Sequence, residues 1–406
     1  MTILLLIRDP LNDLRTGVFH GFGRALARRG HHVTLSALPS AALPHDPSIR
    51  WEGGGLLAGP ASPGGLRGKC LTFLHDLKTL LLHGRGHQVW VLRDKIYMAA
   101  LAVPLSRLFR RRLVYWCSFP YPESDREMLR LRRDELSPAR KVHLFFRSRI
   151  SAWFLYHCVL RFCDHAFVVS DRLKQEFAAR GISKSKLTAY PLCVDQEHIE
   201  ALPPLPAASP EPPDAPATPT LCYLGVISRL RRMDFILDVL RAVRGEVPGT
   251  RLLIVGDALN AEERRHFDEL IRGMGLEEAV IRTGHLPQAL AWQQTTTATV
   301  GIHALPPCFL HDVSSPTKAV EFLALGVPVV VSPVPDMADI VRESGGGLCA
   351  PYEAGPFAEA VLRLLRSPNR RAMGEAGRNY VLRRRTYAAM AENVLEPTLL
   401  RVAGSR

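Results

Sequence analysis

A lysine and a glutamate three residues apart, Lys318 and Glu321, stand in a stretch that otherwise reads as core: DVSSPTKAVEFLALGVPVVVS, Asp312 to Ser332. Ser315-Pro316 reads as an N-cap followed by proline at the first helical position, with Gly326 as the stop. VPVVVS then reads as a buried parallel strand. The amides at the helix start, Ser314 to Lys318, with Ser315 and Thr317 among them, suit an anion, and Lys318 adds charge. Glu321, one turn deeper, is placed to accept from a pair of sugar hydroxyls. A buried carboxylate is costly unless something hydrogen-bonds it. The competing reading is a plain i,i+3 pair of Lys318 with Glu321, worth only ~0.2–0.5 kcal/mol. It suits an exposed helix better than this apolar one.

A second anion element precedes it. In YLGVISRLRRMDFILDVL a strand ends at Gly225, which permits close backbone approach. Arg229, Arg231 and Arg232 then crowd a helix N-terminus, where the dipole already favours anions. Cations in that place imply a phosphate between them. A solvated arginine cluster is the alternative.

These stretches must be held by larger elements. Both halves of the chain alternate apolar β-like runs with amphipathic helices, the pattern of parallel sheets covered on both faces. TILLLIR is the first strand, GVFHGFGRALARRG a helix ending at Gly30, and WEGGGLLAGPASPGGLRG a glycine-rich loop. ALPPLPAASPEPPDAPATPT, Ala201 to Thr220, reads as an extended linker. The expected division is therefore a first α/β domain over 1–200, a proline-rich linker over 201–218, a second α/β domain over 219–385 and a closing helix over 386–406. Ligands of such sheets bind at the carboxyl ends of the strands.

Bulk composition narrows the class. A length of 406 residues exceeds one ordinary core, and at 47% apolar and 22% charged the chain is globular. No apolar run reaches the ~18 residues of a spanning helix. MTILLLIRDP reads as a strand, not a signal peptide. The eight scattered cysteines form no C-x-x-C pair, which fits a reducing cytoplasm and argues against zinc. The charge of +13 is lopsided: residues 1–200 hold 30 Lys and Arg against 17 Asp and Glu, and residues 201–406 hold 22 against 22. The first half thus suits an anionic partner, or is basic for solubility alone.

The second half resembles the donor-sugar domain of glycosyltransferase family 4, the retaining GT-B enzymes that use nucleotide-sugars. Pro316, Lys318, Glu321, Ala324, Gly326, Pro328, Val329 and Val330 follow its string, and LLIVGD and RTGHLP stand at the matching places. MTILLLIRDP, LARRGHHVTL, HAFVVSDRLKQEF and YPLCVDQEHI match its looser first-half strings. The resemblance implies a GT-B fold, two Rossmann-like α/β/α domains facing each other across a cleft, with 1–200 on the acceptor side, 219–385 binding the nucleotide-sugar, and the C-terminal helix of 386–406 crossing back to the first domain. It implies that Arg231 binds the donor diphosphate, with Arg229 able to replace it, and that Glu321 holds the ribose. Gly17 would meet the diphosphate-sugar region. Arg231, Lys318 and Glu321 would carry catalysis, and Gly17, Gly225, Arg229, Arg231, Ser315, Thr317, Lys318 and Glu321 would bind the donor.

The chain departs from the family string at three places. Val313 stands where an acid is frequent, with Asp312 one residue off; Val226 replaces an arginine; Ser118 stands near the place of a histidine. No D-x-D string exists, so no metal is expected, and the donor, UDP- or GDP-linked, is substrate rather than cofactor. Arginine, lysine and helix-terminus amides must then hold the leaving diphosphate.

Two basic stretches of the first half, LSRLFRRRLVYW and ARKVHLFFRSRISAWFLYHCVLRF, mix arginines with aromatic residues. They suit an anionic membrane surface, or else the aromatics pack inward. The expected activity is sugar transfer to a glycan or lipid-linked acceptor with retention, in cell-surface or extracellular polysaccharide synthesis, in the cytoplasm or at the inner membrane face. Nucleic acid is not an expected partner. Two rival readings remain: a nucleotide-sugar-binding protein without turnover, and a basic nucleic-acid binder, which lacks a recognised module. Gly21-x-Gly23 lacks the third glycine of a dinucleotide fingerprint, and His285 and His311 are candidate acid–base groups.

Overall fold

A computed structural model describes residues 1–43, 50–131, 136–202 and 218–404. Most of the proline-rich stretch of 201–218 lies outside these residues. The chain divides into two units, Met1–Leu192 with Tyr387–Arg406, and Cys193–Thr386.

In the first unit β1 (Thr2–Ile7), β2 (His32–Ala37), β3 (Leu56–Ala58), β4 (Val89–Arg93), β5 (Arg112–Cys117), β6 (His165–Val168) and β7 (Leu187–Ala189) form one parallel sheet. The order is β3-β2-β1-β4-β5-β6-β7. In the second, β8 (Thr220–Leu224), β9 (Arg251–Val255), β10 (Val280–Arg282), β11 (Val300–His303), β12 (Val329–Val331) and β13 (Gly347–Cys349) run β10-β9-β8-β11-β12-β13, again all parallel. Helices cover both faces, so the central strands are buried on both sides and read as unbroken apolar runs such as Ile3-Leu4-Leu5-Leu6 and Val329-Val330-Val331. Each unit is Rossmann-like. Each reverses its strand order once, between β1 and β4 and between β8 and β11, and ligands of such sheets bind at that crevice.

Local structure departs from the sequence reading in three places. The helix after β1 is π-wound from Gly17 to Ala25 before one α-turn, Leu26–Arg28. Within it a Cβ on Gly21 would fall 2.2 Å from the Tyr190 hydroxyl, and one on Gly23 2.8 Å from the Trp51 ring. These glycines let the helix lie against two rings, which explains them without a dinucleotide. The glycine-rich stretch is not all loop: Leu56–Ala58 adds an edge strand to β2, and a helix runs from Gly65 to His83. The third departure concerns Ser315 and belongs to the site. All eight cysteines are free thiols, and no helix among the described residues is long and apolar enough to cross a membrane.

Candidate functional site

The two anion elements flank the β8/β11 switch point of the second unit. Gly225 follows β8 at φ +147°, a backbone region L side chains rarely adopt. Gly256, at the end of β9, lies so close that a Cβ there would stand 2.0 Å from the Gly225 carbonyl oxygen. The turn after Gly225 leads into a short 3₁₀ turn, Arg229–Arg231, and then a helix, Met233–Glu246.

The three arginines of this turn differ in what they meet. The Arg229 guanidinium pairs with Glu262 at 3.0 Å, and its amide donates to Glu263 at 2.7 Å, both on the helix that follows β9. Arg232 pairs with Asp234 in the first turn of its own helix. The Arg232 hydrogen bond, and then the backbone amides of that turn, hold the Asp234 carboxyl below the usual carboxylate range. That helix start therefore has its own anion, so the arginine cluster needs no phosphate to explain it. Arg231 is exposed and, among the described residues, has no ion pair.

On the other side of the switch point the helix runs Thr317–Ala324, and Gly326 ends it at φ +74°. Ser315 does not cap it. Its hydroxyl donates to Asp336 Oδ2 at 2.8 Å and accepts from Arg385 Nη2 at 3.1 Å, while Arg385 also meets both Asp336 oxygens, at 3.0 and 3.1 Å. A buried bidentate ion pair is a stronger partner for the hydroxyl than a backbone amide. Pro316 holds the N-cap position, and no side chain caps the first turn. The amides of Thr317 and Lys318 thus remain open to a ligand.

The buried carboxylate is fully satisfied. Glu321 is 5% exposed; Lys318 Nζ donates to its Oε1 at 2.9 Å and Trp292 Nε1 to its Oε2 at 2.8 Å. Lys318 is itself partly exposed, so its ammonium borders both the buried carboxylate and the open helix start.

Between the two elements lies His303, the last residue of β11, 5% exposed. Neither ring nitrogen has a hydrogen-bond partner. Burial, and then the charges of Arg231 and Lys318, push its imidazole down to about 3. That both charges act on one ring is the observation that joins the two elements. His311 Nδ1 donates to the Pro306 carbonyl at 2.7 Å, and burial lowers its imidazole too. His285 is exposed.

Both halves of the chain match glycosyltransferase families. Residues 17–193 match the family described as Glycosyl transferase 4-like domain, and residues 218–367 match Glycosyl transferases group 1. The chain is a GT-B glycosyltransferase. No curated protein matches its sequence. Solved structures match over the whole length. A sucrose-phosphate synthase from Thermosynechococcus elongatus has a TM-score of 0.69 at 18% identity, with 100% of both chains covered. Anabaena HepE, solved with UDP and glucose, has 0.67 at 15%, covering 98% of this chain and 100% of its own. The catalytic domain of starch synthase IV from Arabidopsis thaliana, bound to ADP and acarbose, has 0.67 at 12%, covering 99% of each. At these identities the likeness shows the fold.

Other residues singled out in this glycosyltransferase sequence fall as follows. Gly17 starts the π-wound helix of the first unit, buried, with Trp116 and Tyr387 at ordinary contact distance from where a Cβ would be. Val313 is wholly buried and apolar. Ser118 is held on Asp94 by its amide, at 2.9 Å, and by its hydroxyl. Sequence reasoning missed His303, Trp292, Asp336 and Arg385. The partners of Trp292, Asp336 and Arg385 lie far along the chain, and only His303, the lone histidine closing an apolar strand, offered a signal.

Proposed function

We propose that this glycosyltransferase moves a sugar from a UDP- or GDP-linked donor to a glycan or lipid-linked acceptor, with retention at the anomeric carbon. The observation that carries the reading is the pairing of an uncapped helix start beside Lys318 with Arg231, which has no carboxylate of its own, across the buried His303. Arg231, Lys318 and the amides near Thr317 neutralise the diphosphate without need of a metal. Glu321 keeps Trp292 on Oε2 and exchanges Lys318 for a ribose hydroxyl on Oε1. The acceptor oxygen bonds the anomeric carbon as the bond to the diphosphate oxygen breaks, and the acceptor's proton passes to that leaving phosphate oxygen. HepE with UDP and glucose, and starch synthase IV with ADP and acarbose, support a nucleotide-linked donor.

The same reading places the work at an anionic membrane face, in polysaccharide assembly. On the helix Pro138–Trp153 the side chains of Phe145, Phe146 and Trp153 are 44–56% exposed beside Arg140 and Arg149. Basic residues beside outward aromatics suit such a surface. Flotation with vesicles containing phosphatidylglycerol tests it: protein that stays at the bottom at low salt has no such affinity.

A second reading, donor binding without turnover, is favoured by Val313, buried and apolar where the family string has an acid. A thermal-shift screen of UDP-, GDP- and ADP-sugars, followed by assay for sugar release or transfer, separates the two. A ligand of the folded state at 100 times its Kd adds about 2.7 kcal/mol. A shift with no turnover on any acceptor selects the second reading, and no shift with any nucleotide sinks both.

A further inference from the structure

A cavity of about 650 Å³ opens at the amino edge of the first unit's sheet, the edge away from the switch-point crevice. Gln88, in its wall, directly precedes β4, and Arg112 opens β5. Arg107, Arg110, Arg111 and Arg112 line it beside Phe162, and Asp164 is the only acid among the described residues of the wall.

The turn that gathers these cations is an unusual use of arginine. The helix Ile96–Leu108 ends with the Arg111 amide on the Ser106 carbonyl, at 2.7 Å, and the Arg110 amide on the Arg107 carbonyl, at 3.0 Å. This is the Schellman closure, whose left-handed residue is ordinarily glycine. Here Arg110 takes that place at φ +54°, in a backbone region that side chains other than glycine's enter at a cost. Cations are favoured near a helix C-terminus, which explains a basic end but not an arginine in the left-handed position.

The wall does not neutralise its own charge. Asp164 accepts from Arg112 on Oδ1 and from the Leu113 amide on Oδ2, both at 2.8 Å. Arg111 Nη2 donates to the Arg85 carbonyl, which carries no net charge. The Arg107 guanidinium lies 5.4 Å from the centre of the Phe162 ring. Arg107, Arg110 and Arg111 thus have no ion pair among the described residues. Like charges crowded around one concavity repel until an anion joins them. Guanidinium forks match the oxygens of a phosphate, and the cavity is roomier than a bare ion needs. Phe162 and Leu108 are exposed there and offer apolar surface to the rest of a ligand. We propose that this pocket binds a phosphomonoester, with Arg107, Arg110 and Arg111 around its oxygens and its organic body beside Phe162. That chemistry is common to a free phosphorylated metabolite and to a lipid headgroup ending in phosphate. The site does not rest on the glycosyl-transfer reading.

Two probes separate the sources: glycerol 3-phosphate, followed by saturation-transfer NMR at constant ionic strength in chloride, and phosphatidylcholine vesicles with and without phosphatidic acid, followed by flotation. The full chain and Lys318→Met, which disables the anion element of the second unit, should bind alike. Arg107→Gln/Arg110→Gly should weaken binding roughly 10-fold or more, because charge-assisted contacts are lost. In chloride, the urea midpoint of Arg110→Gly should stay level or rise, since glycine enters the left-handed region freely, and this reports an intact fold. Glycerol 3-phosphate bound in this arginine-dependent way supports the site with a soluble ester as its ligand. Arginine-dependent flotation on phosphatidic acid alone supports it with the lipid. Binding of neither probe, binding lost in Lys318→Met alone, or binding that the arginine substitutions leave unchanged overturns the site.

Discussion

Lys318 Nζ lies 2.9 Å from Oε1 of Glu321, in a helix whose other side chains from Ala319 to Ala324 are buried and apolar. The pair is the i,i+3 contact the sequence offers as its plainest reading, yet it stands over a buried carboxylate that also holds Trp292. Glu321→Ala leaves the Trp292 N–H unmet and should cost about 1–3 kcal/mol in urea unfolding. It should also weaken UDP binding at least tenfold, since the ribose contact goes with it. Unchanged UDP affinity would remove the ribose role and leave only the structural one.

The arginines beside Gly225 should divide by their partners. Arg231→Gln should lose a charge-assisted contact to the diphosphate worth about 1.5–3 kcal/mol, or roughly 10- to 150-fold in the Kd for UDP. Arg229→Gln should change it less than threefold, because Arg229 is already committed to Glu262 and Glu263 on an exposed surface. Calorimetric titration of both variants decides it, and equal losses would contradict the assignment.

How much of this was legible in the sequence follows from chain distance. The strand and helix order of both units is written in local periodicity, and Lys318 and Glu321 announce themselves within one turn. Ser315 was misread because its N-cap pattern is local, whereas the groups that claim its hydroxyl, Asp336 and Arg385, lie 21 and 70 residues away. Trp292 reaches Glu321 across 29 residues. The arginine run showed charge density but not that Asp234 and Glu262 absorb two of the three cations. Asp94, at φ +57°, gave no sign, since a left-handed turn at a strand end is fixed by the sheet around it.

Asp336 is the anion that offsets the buried charge of Arg385. Burial disfavours the guanidinium, and the Asp336 charge and hydrogen bonds outweigh it. Asp336→Ala should therefore cost about 3–5 kcal/mol in chemical denaturation, because it takes the carboxylate from a buried cation. A loss below about 1 kcal/mol would show that Arg385 finds water or another partner.

His303 makes stability depend on acid. The unfolded chain takes up a proton at this histidine below pH 6.5, whereas the folded chain refuses it until about pH 3. Stability is thus lost as pH falls through that window, by at most about 1.4 kcal/mol per pH unit. Between pH 6.5 and 5 the unaltered chain should lose roughly 1–2 kcal/mol more than His303→Leu in urea unfolding at the two pH values. Parallel losses would mean that this ring titrates normally in the fold.

In the proposed function the second unit grips a nucleoside diphosphate with Lys318, Arg231 and the open amides at Thr317. Calorimetric titration of UDP and of GDP into the full chain and into Lys318→Met, with magnesium and with EDTA, tests it directly. One of the two nucleotides should bind the unaltered chain equally well in EDTA, and Lys318→Met should bind it at least tenfold more weakly. Binding that vanishes with EDTA, that is untouched by the substitution, or that is absent for both nucleotides would contradict it.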